Sequence, residues 1–189
     1  MGKAKVCGIG VNDVDFTVRN LLSYSCWVYM LKRCYSKSFQ KAEPSYIGCS
    51  VCDEWLLFSN FKEWFDANYV DGYALDKDIL VKGNRVYSPE TCCFVPQRIN
   101  SLLINRKLHR AKSGIIGAHK NGKRFLAVLK INGKLKNLGR YNTVEEAFSA
   151  YKSAKEAQIQ EVAAEYYSKG LIDKKVYDAL MNYRIEKTD

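Results

Sequence analysis

The sequence predicts an α+β protein, in which a region of mixed helices and short strands is followed by a three-stranded antiparallel sheet packed on a helix. The sheet prediction rests on three β-prone segments: Ile115–His119, Arg124–Ile131 and Leu135–Tyr141. Asn121-Gly122 and Asn132-Gly133 separate these segments. Because Asn-Gly is among the strongest short-range signals for a tight hairpin turn, two in succession predict an antiparallel meander.

A helix is predicted directly behind the sheet. Thr143 and Glu146 fit a capping box, in which the threonine caps the helix and the glutamate reaches back to the cap. Apolar positions then continue at helical spacing to about Tyr167. A last short helix is predicted over Ile172–Tyr183.

Two helices with aromatic stripes are predicted in the first half of the chain. One covers Tyr24–Tyr35 and the other covers Asp53–Phe65, where Trp55, Phe58 and Phe61 recur on one side. Aromatic residues at this spacing are more often core residues than ligand contacts. We therefore expect them to form the core of a first domain.

Short strands and one further helix are predicted between the aromatic helices and the sheet. The strands are expected over Leu75–Leu80 and Thr91–Val95, with turns at Gly83 and Pro89 between them. Pro96 then begins a helical run, which is a favoured place for proline. The resulting domain prediction is a flexible N-terminal segment over 1–23, a first domain over 24–105, a basic linker over 106–112, a sheet domain over 113–167 and a C-terminal helix over 168–189.

The positive charge of the chain is concentrated in one stretch. The formal net charge is +10, and residues 101–142 hold eleven Lys or Arg residues and no Asp or Glu. Subtracting these eleven from the 30 basic residues of the chain leaves 19, against 20 acidic residues. A local basic excess interleaved with strand-forming residues predicts binding to the phosphates of a nucleic acid.

Double-stranded DNA is the expected partner. The second strand alternates imperfectly, but one face of the sheet can present Arg124, Lys130, Lys136 and Arg140 together. A twisted β-ribbon of this kind fits the major groove. RNA is the alternative, and it is weaker because the expected docking face is charged and aliphatic rather than aromatic. The candidate DNA-binding residues are Arg106, Lys107, Arg110, His119, Lys120, Lys123, Arg124, Lys130, Lys136, Asn137 and Arg140.

The sheet region contains a series of short motifs in order: Gly117-Ala118-His119, Lys123-Arg124-Phe125-Leu126-Ala127, Gly133-Lys134, Asn137-Leu138-Gly139-Arg140-Tyr141 and Glu145-Glu146-Ala147-Phe148-Ser149-Ala150-Tyr151. With these motifs it resembles the APETALA/ethylene-response-factor DNA-binding domain. The resemblance implies a sheet that lies in the major groove and reads bases with side chains. The positions that match the base-reading residues are His119, Lys130 and Asn137, although His119 replaces an arginine and Asn137 an aromatic residue.

A second group of polar residues precedes the sheet. Asp76-Lys77-Asp78 lies on a predicted strand, and Asn100 lies on the helix after the next strand. Asp76 and Asn100 could supply oxygen ligands to a single Mg²⁺ or another divalent ion, which would stabilise the leaving oxygen in phosphodiester cleavage. The candidate catalytic residues are Asp76, Lys77 and Asn100, and the candidate metal ligands are Asp76 and Asn100.

Residues 27–105 resemble the HNH homing-endonuclease-like proteins of phages. The resemblance is carried by Arg33-Cys34-Tyr35, Gly48-Cys49-Ser50-Val51-Cys52-Asp53-Glu54-Trp55 and the Asp76 segment with Asn84, Pro89, Cys92 and Asn100. It implies an HNH-like (ββα-metal) domain and a metal-dependent DNA endonuclease of a phage or mobile element. Such an enzyme usually has a histidine general base after the aspartate, where this chain has Lys77. The alternative is a catalytically silent regulator, or an inhibitor of a host nuclease or defence system, with the same fold.

Other function classes are excluded by the composition. No apolar run is long enough for a membrane span, and the N-terminal residues lack a signal-peptide pattern. Cys49-x-x-Cys52 followed by Cys92-Cys93 invites the hypothesis of a zinc site, but we do not expect zinc, because adjacent cysteines rarely ligate one tetrahedral ion together. We expect a soluble protein with reduced thiols that works in the cytoplasm of a bacterial host, associated with the nucleoid.

Overall fold

The computed structural model describes residues 5–103 and 114–187. The chain divides into two compact units, with the boundary between Gln97 and Arg98. We call the part up to Gln97 unit 1 and the part from Arg98 onward unit 2. Together they confirm a mixed α+β protein that contains a three-stranded antiparallel sheet.

Unit 1 contains helices that pack on aromatic side chains and two small strand pairs. Its elements are α1 (Leu22–Tyr35), α2 (Lys37–Ala42), β1 (Ser50–Val51), α3 (Phe58–Asn68), β2 (Tyr73–Asp76), β3 (Val86–Tyr87) and β4 (Cys93–Pro96). β1 pairs with β3 in parallel, and β2 pairs with β4 antiparallel. The helix predicted over Asp53–Phe65 is interrupted, because Asp53–Leu56 form a 3-10 turn before α3 begins.

The aromatic stripes form the core of unit 1, as their spacing predicts. Trp27, Trp55, Phe58 and Phe61 are each at most 1% exposed. The indole N–H of Trp27 donates to the carbonyl oxygen of Trp55 at 2.7 Å, so the buried polar atom of this ring has a partner. α1, the 3-10 turn and α3 therefore share one core.

The segment before α1 is packed against this core. The backbone N–H of Val11 donates to the carbonyl oxygen of Leu56 at 2.8 Å. Gly10 is buried, and a Cβ there would overlap the side chains of Leu31 and Trp27. Where the sequence predicts a flexible segment over residues 1–23, the structure thus places the part around Gly10 and Val11 against α1 and the 3-10 turn.

Unit 2 is built around the predicted meander. It contains β5 (Ala118–Asn121), β6 (Arg124–Ile131), β7 (Lys134–Tyr141), α5 (Val144–Ser168) and α6 (Lys174–Met181), and α4 (Gln97–Leu103) begins at its boundary. The strand order is β5-β6-β7 with antiparallel pairing. The meander, the two Asn-Gly turns and the helix behind them are confirmed, and the last helix is shorter than predicted.

Small residues let α5 lie close to the sheet. Ala118, Ala127 and Ala147 are fully buried together. Gly117 has a φ of +72°, and a Cβ at this position would overlap the ring of Tyr151. Only glycine adopts this conformation easily while leaving room for the ring.

The predicted capping box begins α5. The backbone N–H of Glu146 donates to Oγ1 of Thr143, and the backbone N–H of Thr143 donates to Oε2 of Glu146, both at 3.2 Å. In the part of the chain that the structure describes, no helix combines the length and the apolar character needed to cross a membrane.

Candidate nucleic-acid interface and the Asp76 loop

The sheet has one side toward α5 and another side that we call the outer face. Ala127 and Leu129 of β6 are buried, at 0% and 3% exposure, and Ala127 packs against α5. Because side chains alternate along a strand, Arg124, Leu126, Val128 and Lys130 lie on the outer face. Residues that pair directly across an antiparallel sheet lie on the same face. The pairing register therefore also shows which residues of β5 and β7 lie on the outer face.

Five of the predicted DNA-binding residues lie on the outer face. His119 and Arg140 both pair with Leu126, and Asn137 pairs with Val128. They join Arg124 and Lys130 of β6 on this side. Arg124, Lys130, Asn137 and Arg140 are exposed, and His119 is half-buried. Because β5, β6 and β7 contain no acidic residue, nothing within the strands neutralises this charge.

Lys136 is not part of the outer face, which corrects the prediction that it accompanies Arg124, Lys130 and Arg140. Lys136 pairs with Leu129, so it lies on the α5 side of the sheet. The cause is a β-bulge: β7 has one extra residue, Leu138, opposite the Ala127/Val128 step. A bulge of this kind reverses the alternation of side chains beyond it.

Lys120 also lies on the α5 side, because it pairs with Phe125. Its side chain is exposed, as are those of Lys123 in the β5–β6 turn and Lys136. Three further predicted DNA-binding residues, Arg106, Lys107 and Arg110, lie outside the described residues. The two exposed lysines of the α5 side provide a natural comparison for the arginines of the outer face.

The side chain of Asn137 supports the bulge. Its Oδ1 accepts a hydrogen bond from the backbone N–H of Gly139 at 2.9 Å, and Gly139 has a φ of +137°. Because the amide oxygen is used in this bond, the Nδ2 group is left as the donor that a ligand could meet. Asn137 therefore combines a structural contact with a polar group on the outer face.

In unit 1, Asp76 ends β2 and begins a tight loop. Its Oδ1 accepts hydrogen bonds from the backbone N–H groups of Asp78 and Ile79, both at 2.8 Å. Burial, and after it the negative charge of Asp78, raise the pKa of Asp76 to about 6 against the opposing effect of these two hydrogen bonds. The carboxylate therefore fixes the shape of the loop, although burial and the charge of Asp78 disfavour its ionised form.

The neighbouring Lys77 is held by the same loop. Its side chain is only 10% exposed, and Nζ donates to Oδ2 of Asp78 at 2.8 Å and to the carbonyl oxygen of Asn84 at 3.0 Å. Burial alone would lower the pKa of Lys77, but the hydrogen bond and charge of Asp78 outweigh burial and raise it. A lysine in this state stays protonated at neutral pH, whereas a general base must be able to accept a proton.

Asn84 closes the loop from the other side. Its Nδ2 donates to the carbonyl oxygens of Lys77 at 2.6 Å and Val86 at 2.7 Å. The polar residues of the Asp76–Val86 segment are therefore largely engaged with one another and with the backbone. Asn100, the other predicted metal ligand, lies on α4 and belongs to unit 2, whereas Asp76 belongs to unit 1.

The structure gives no independent support to a metal centre. Within residues 5–103 and 114–187, no group of three or more His, Cys, Asp or Glu side chains is arranged to hold an ion. No disulfide joins the cysteines, and burial raises the pKa of Cys92 to about 12. Zinc binds the thiolate form, which such a shift disfavours.

One residue of interest is not among the predicted site residues. Lys155 lies in the middle of α5 and is 8% exposed, and it borders a cavity of about 930 Å³ within unit 2. It lies four residues after Tyr151 and four before Ile159, so the apolar spacing of α5 places it on the buried side of the helix, and this spacing is the signal that could have found it.

No family model, no curated protein and no solved structure matches this chain. The functional inference therefore rests on the residues described above.

Proposed function

We propose that this protein binds double-stranded DNA through the outer face of the β5–β7 sheet. The observation that supports this proposal most is the presence of exposed Arg124, Lys130 and Arg140 on one face of a sheet whose strands contain no acidic residue. Exposed cations without acidic neighbours attract phosphates, and their binding releases counterions.

The shape of the sheet suits a duplex. A short, twisted antiparallel sheet can enter the major groove, where arginine and lysine reach phosphates and the acceptor edge of guanine. His119 and the Nδ2 group of Asn137 lie on the same face and are the candidates for further base contacts. The side chains between them, Leu126 and Val128, are aliphatic, so the face lacks the aromatic platform on which single-stranded bases stack.

Binding without cleavage is the form of this function that the Asp76 loop favours. Lys77 occupies the place of the expected general base, yet its ammonium group is bonded to Asp78 and to the carbonyl oxygen of Asn84. Activating water would require this lysine to lose its proton in a setting that raises its pKa. We infer that the protein acts by occupying DNA, as a regulator or as an antagonist of a nuclease.

A metal-dependent endonuclease is the second candidate, and one observation favours it. The carboxyl groups of Asp76 and Asp78 interact closely enough to raise the pKa of Asp76, and a divalent cation such as Mg²⁺ would relieve that repulsion. Asp76 would be a ligand of the ion, which would supply charge stabilisation at a scissile phosphate. The residues of the loop fit this role incompletely, because Oδ1 of Asp76 already accepts two backbone hydrogen bonds.

Plasmid nicking separates the two candidates. Purified protein is incubated with supercoiled plasmid and Mg²⁺ or Mn²⁺, beside an Asp76→Ala variant with the same purification history. We expect no nicking by either protein. Nicking by the wild type that the variant loses would contradict the binding-only form and establish the endonuclease.

Duplex affinity tests the interface itself. Fluorescence anisotropy with a labelled random-sequence duplex is measured for the wild type and for the Arg124→Ala/Arg140→Ala double variant. The control is Lys120→Ala/Lys136→Ala, which removes the same charge from the α5 side of the same sheet. We expect the arginine variant to bind roughly tenfold or more weakly at moderate salt, since two phosphate contacts are lost, and the lysine variant to lose much less.

The choice between DNA and RNA is tested in the same assay. Unlabelled duplex DNA and unlabelled single-stranded RNA of equal length compete for the protein at fixed salt. Duplex DNA should displace the probe at lower concentration. More effective displacement by the RNA would overturn the assignment of duplex DNA as the partner.

A further inference from the structure

Unit 2 contains a cavity that the proposed DNA interface does not explain. It has a volume of about 930 Å³ and borders the edge of β6 where β5 no longer pairs with it. This volume is in the range of small-molecule sites and far larger than a single water molecule needs. The cavity is thus large enough for an organic ligand.

The walls of the cavity are mainly apolar and carry one sign of charge. Leu102, Ile116, Leu129 and Val162 contribute apolar surface, and Arg98, Lys130 and Lys155 contribute cations. No Asp or Glu is among the lining residues that the structure describes. A ligand that matches these walls has an apolar body and a negative charge.

Lys155 marks the place where that charge would lie. It is 8% exposed, and Nζ donates to Oε1 of Gln158 at 3.3 Å. Within the described residues, no carboxylate lies within ion-pair distance of Lys155. Burial lowers the pKa of Lys155 to about 8, and no opposing charge reduces this shift. A buried ammonium group without a counter-ion is costly, and an anion would relieve that cost.

Gln158 fixes the position of this ammonium group. Its Nε2 donates to the carbonyl oxygen of Lys130 at 3.2 Å, at the edge of β6 next to the cavity. The amide is thereby oriented with its oxygen toward Lys155. The lysine is held beside the cavity by a group that cannot neutralise it.

We propose that this cavity binds a small organic anion, with its apolar body against Leu129 and Val162 and its carboxylate, sulfonate or phosphate group paired with Lys155. The cavity and the proposed DNA interface share some residues but not Lys155, so a Lys155 variant can test the cavity separately. His119, Leu126, Val128 and Lys130 border both the cavity and the outer face, whereas Lys155 lies on α5 and borders the cavity alone.

The test uses two related fluorescent probes on the full chain. 8-Anilinonaphthalene-1-sulfonate is an aromatic anion, and N-phenyl-1-naphthylamine has the same aromatic body without the sulfonate. Both are titrated into the wild type and into Lys155→Met, Lys155→Gln and Lys169→Met. The last variant is the matched control, because Lys169 is an exposed lysine paired with Glu165 at the end of α5. Circular dichroism confirms that each variant is folded.

We expect the wild type to bind the sulfonate probe saturably, at one site per chain and more tightly than the neutral probe. Both Lys155 variants should bind the sulfonate at least about tenfold more weakly, with little change for the neutral probe, because a partly buried charge pair is lost. Lys169→Met should match the wild type. Absence of saturable sulfonate binding to the wild type, or equal sulfonate affinity in a folded Lys155 variant, would overturn the proposal.

Duplex affinity of Lys155→Met distinguishes this proposal from the proposed DNA interface. We expect it to stay within about twofold of the wild type, because Lys155 is not on the outer face. A parallel loss of duplex affinity would mean that Lys155 pairs with DNA phosphate, which would overturn the small anion as the occupant. If the wild type does not bind DNA, the proposed DNA interface fails, and the probe titration still tests the cavity on its own.

Discussion

The positive charges of the Asp76 loop in unit 1 and those of the sheet region in unit 2 have different neighbours. Lys77 and Lys155 are almost equally buried, at 9% and 8% exposure. Lys77 is paired with Asp78 and its pKa is raised, whereas Lys155 has no carboxylate partner among the described residues and its pKa is lowered to about 8 by burial. Burial alone therefore does not decide the state of a lysine, because a neighbouring carboxylate can reverse its effect.

This contrast extends to the exposed cations. Arg124, Lys130 and Arg140 share a face without an acidic residue in its strands, while exposed lysines on the helices, such as Lys62 and Lys174, pair with aspartates one turn away. Helical pairs of this kind satisfy charges locally. The cations of the outer face and of the adjacent cavity have no such partner among the described residues, and this is where we place the two proposed ligands.

The largest expected effect on stability concerns Lys155. Its pKa is about 8 in the folded state and 10.5 without burial, so the unfolded chain binds more protons between these values. The destabilisation is complete below pH 8 and disappears as the pH rises toward 10.5. Lys155→Met should therefore be more stable than the wild type at pH 7, by on the order of 2 kcal/mol, and the difference should shrink through this window.

Denaturant unfolding followed by circular dichroism measures this difference, because all three tryptophans lie in unit 1 and would not report on α5. Lys169→Met provides the control for loss of a lysine from α5. An unchanged or lower stability of Lys155→Met at pH 7 would show that the buried ammonium group is already neutralised.

Asn84 tests the other side of the comparison. Asn84→Ala removes the donor to the carbonyl oxygens of Lys77 and Val86 and the acceptor for the backbone N–H of Val86, so the loop that holds Lys77 loses three hydrogen bonds. We expect unit 1 to be destabilised by about 1 to 2 kcal/mol, as followed by tryptophan fluorescence during denaturant unfolding. Duplex affinity should remain unchanged. A large loss of duplex affinity with intact stability would instead place this loop in the DNA interface.

A smaller effect is expected when the charges of the outer face are removed. Arg124→Ala/Arg140→Ala should change the free energy of unfolding by less than about 0.5 kcal/mol, since exposed side chains away from the core contribute little. Circular dichroism during thermal unfolding checks this expectation. Marked destabilisation would mean that these arginines have a structural role, and the loss of DNA binding could then not be assigned to lost contacts.

The parts of the fold that local signals determine were predictable from the sequence. The Asn-Gly turns at Asn121 and Asn132 fix two hairpins, and the capping box of Thr143 and Glu146 begins α5. Each of these signals acts within four residues, so the sequence alone reveals it. The packed segment around Gly10 was not predictable in this way. Its order depends on contacts with Leu31 and Trp27, which are distant in the sequence.

The candidate interface was predictable in composition but not in all its members. Strict alternation places Lys136 with Arg140, and the extra residue Leu138 in β7 separates them onto opposite faces. A bulge depends on how two strands pair, so the pattern of one strand does not reveal it. The burial of Lys155 could have been predicted from its spacing to Tyr151 and Ile159, but the cavity beside it depends on how α5 packs on the sheet.

The salt dependence of duplex affinity tests the central claim most directly. Each phosphate contact contributes about 0.9 to the slope of log K against log salt, so Arg124→Ala/Arg140→Ala should reduce this slope by about 2. Lys120→Ala/Lys136→Ala should leave the slope close to that of the wild type. Equal slopes for the wild type and the arginine variant, or an equal reduction in the lysine variant, would contradict a DNA interface on the outer face.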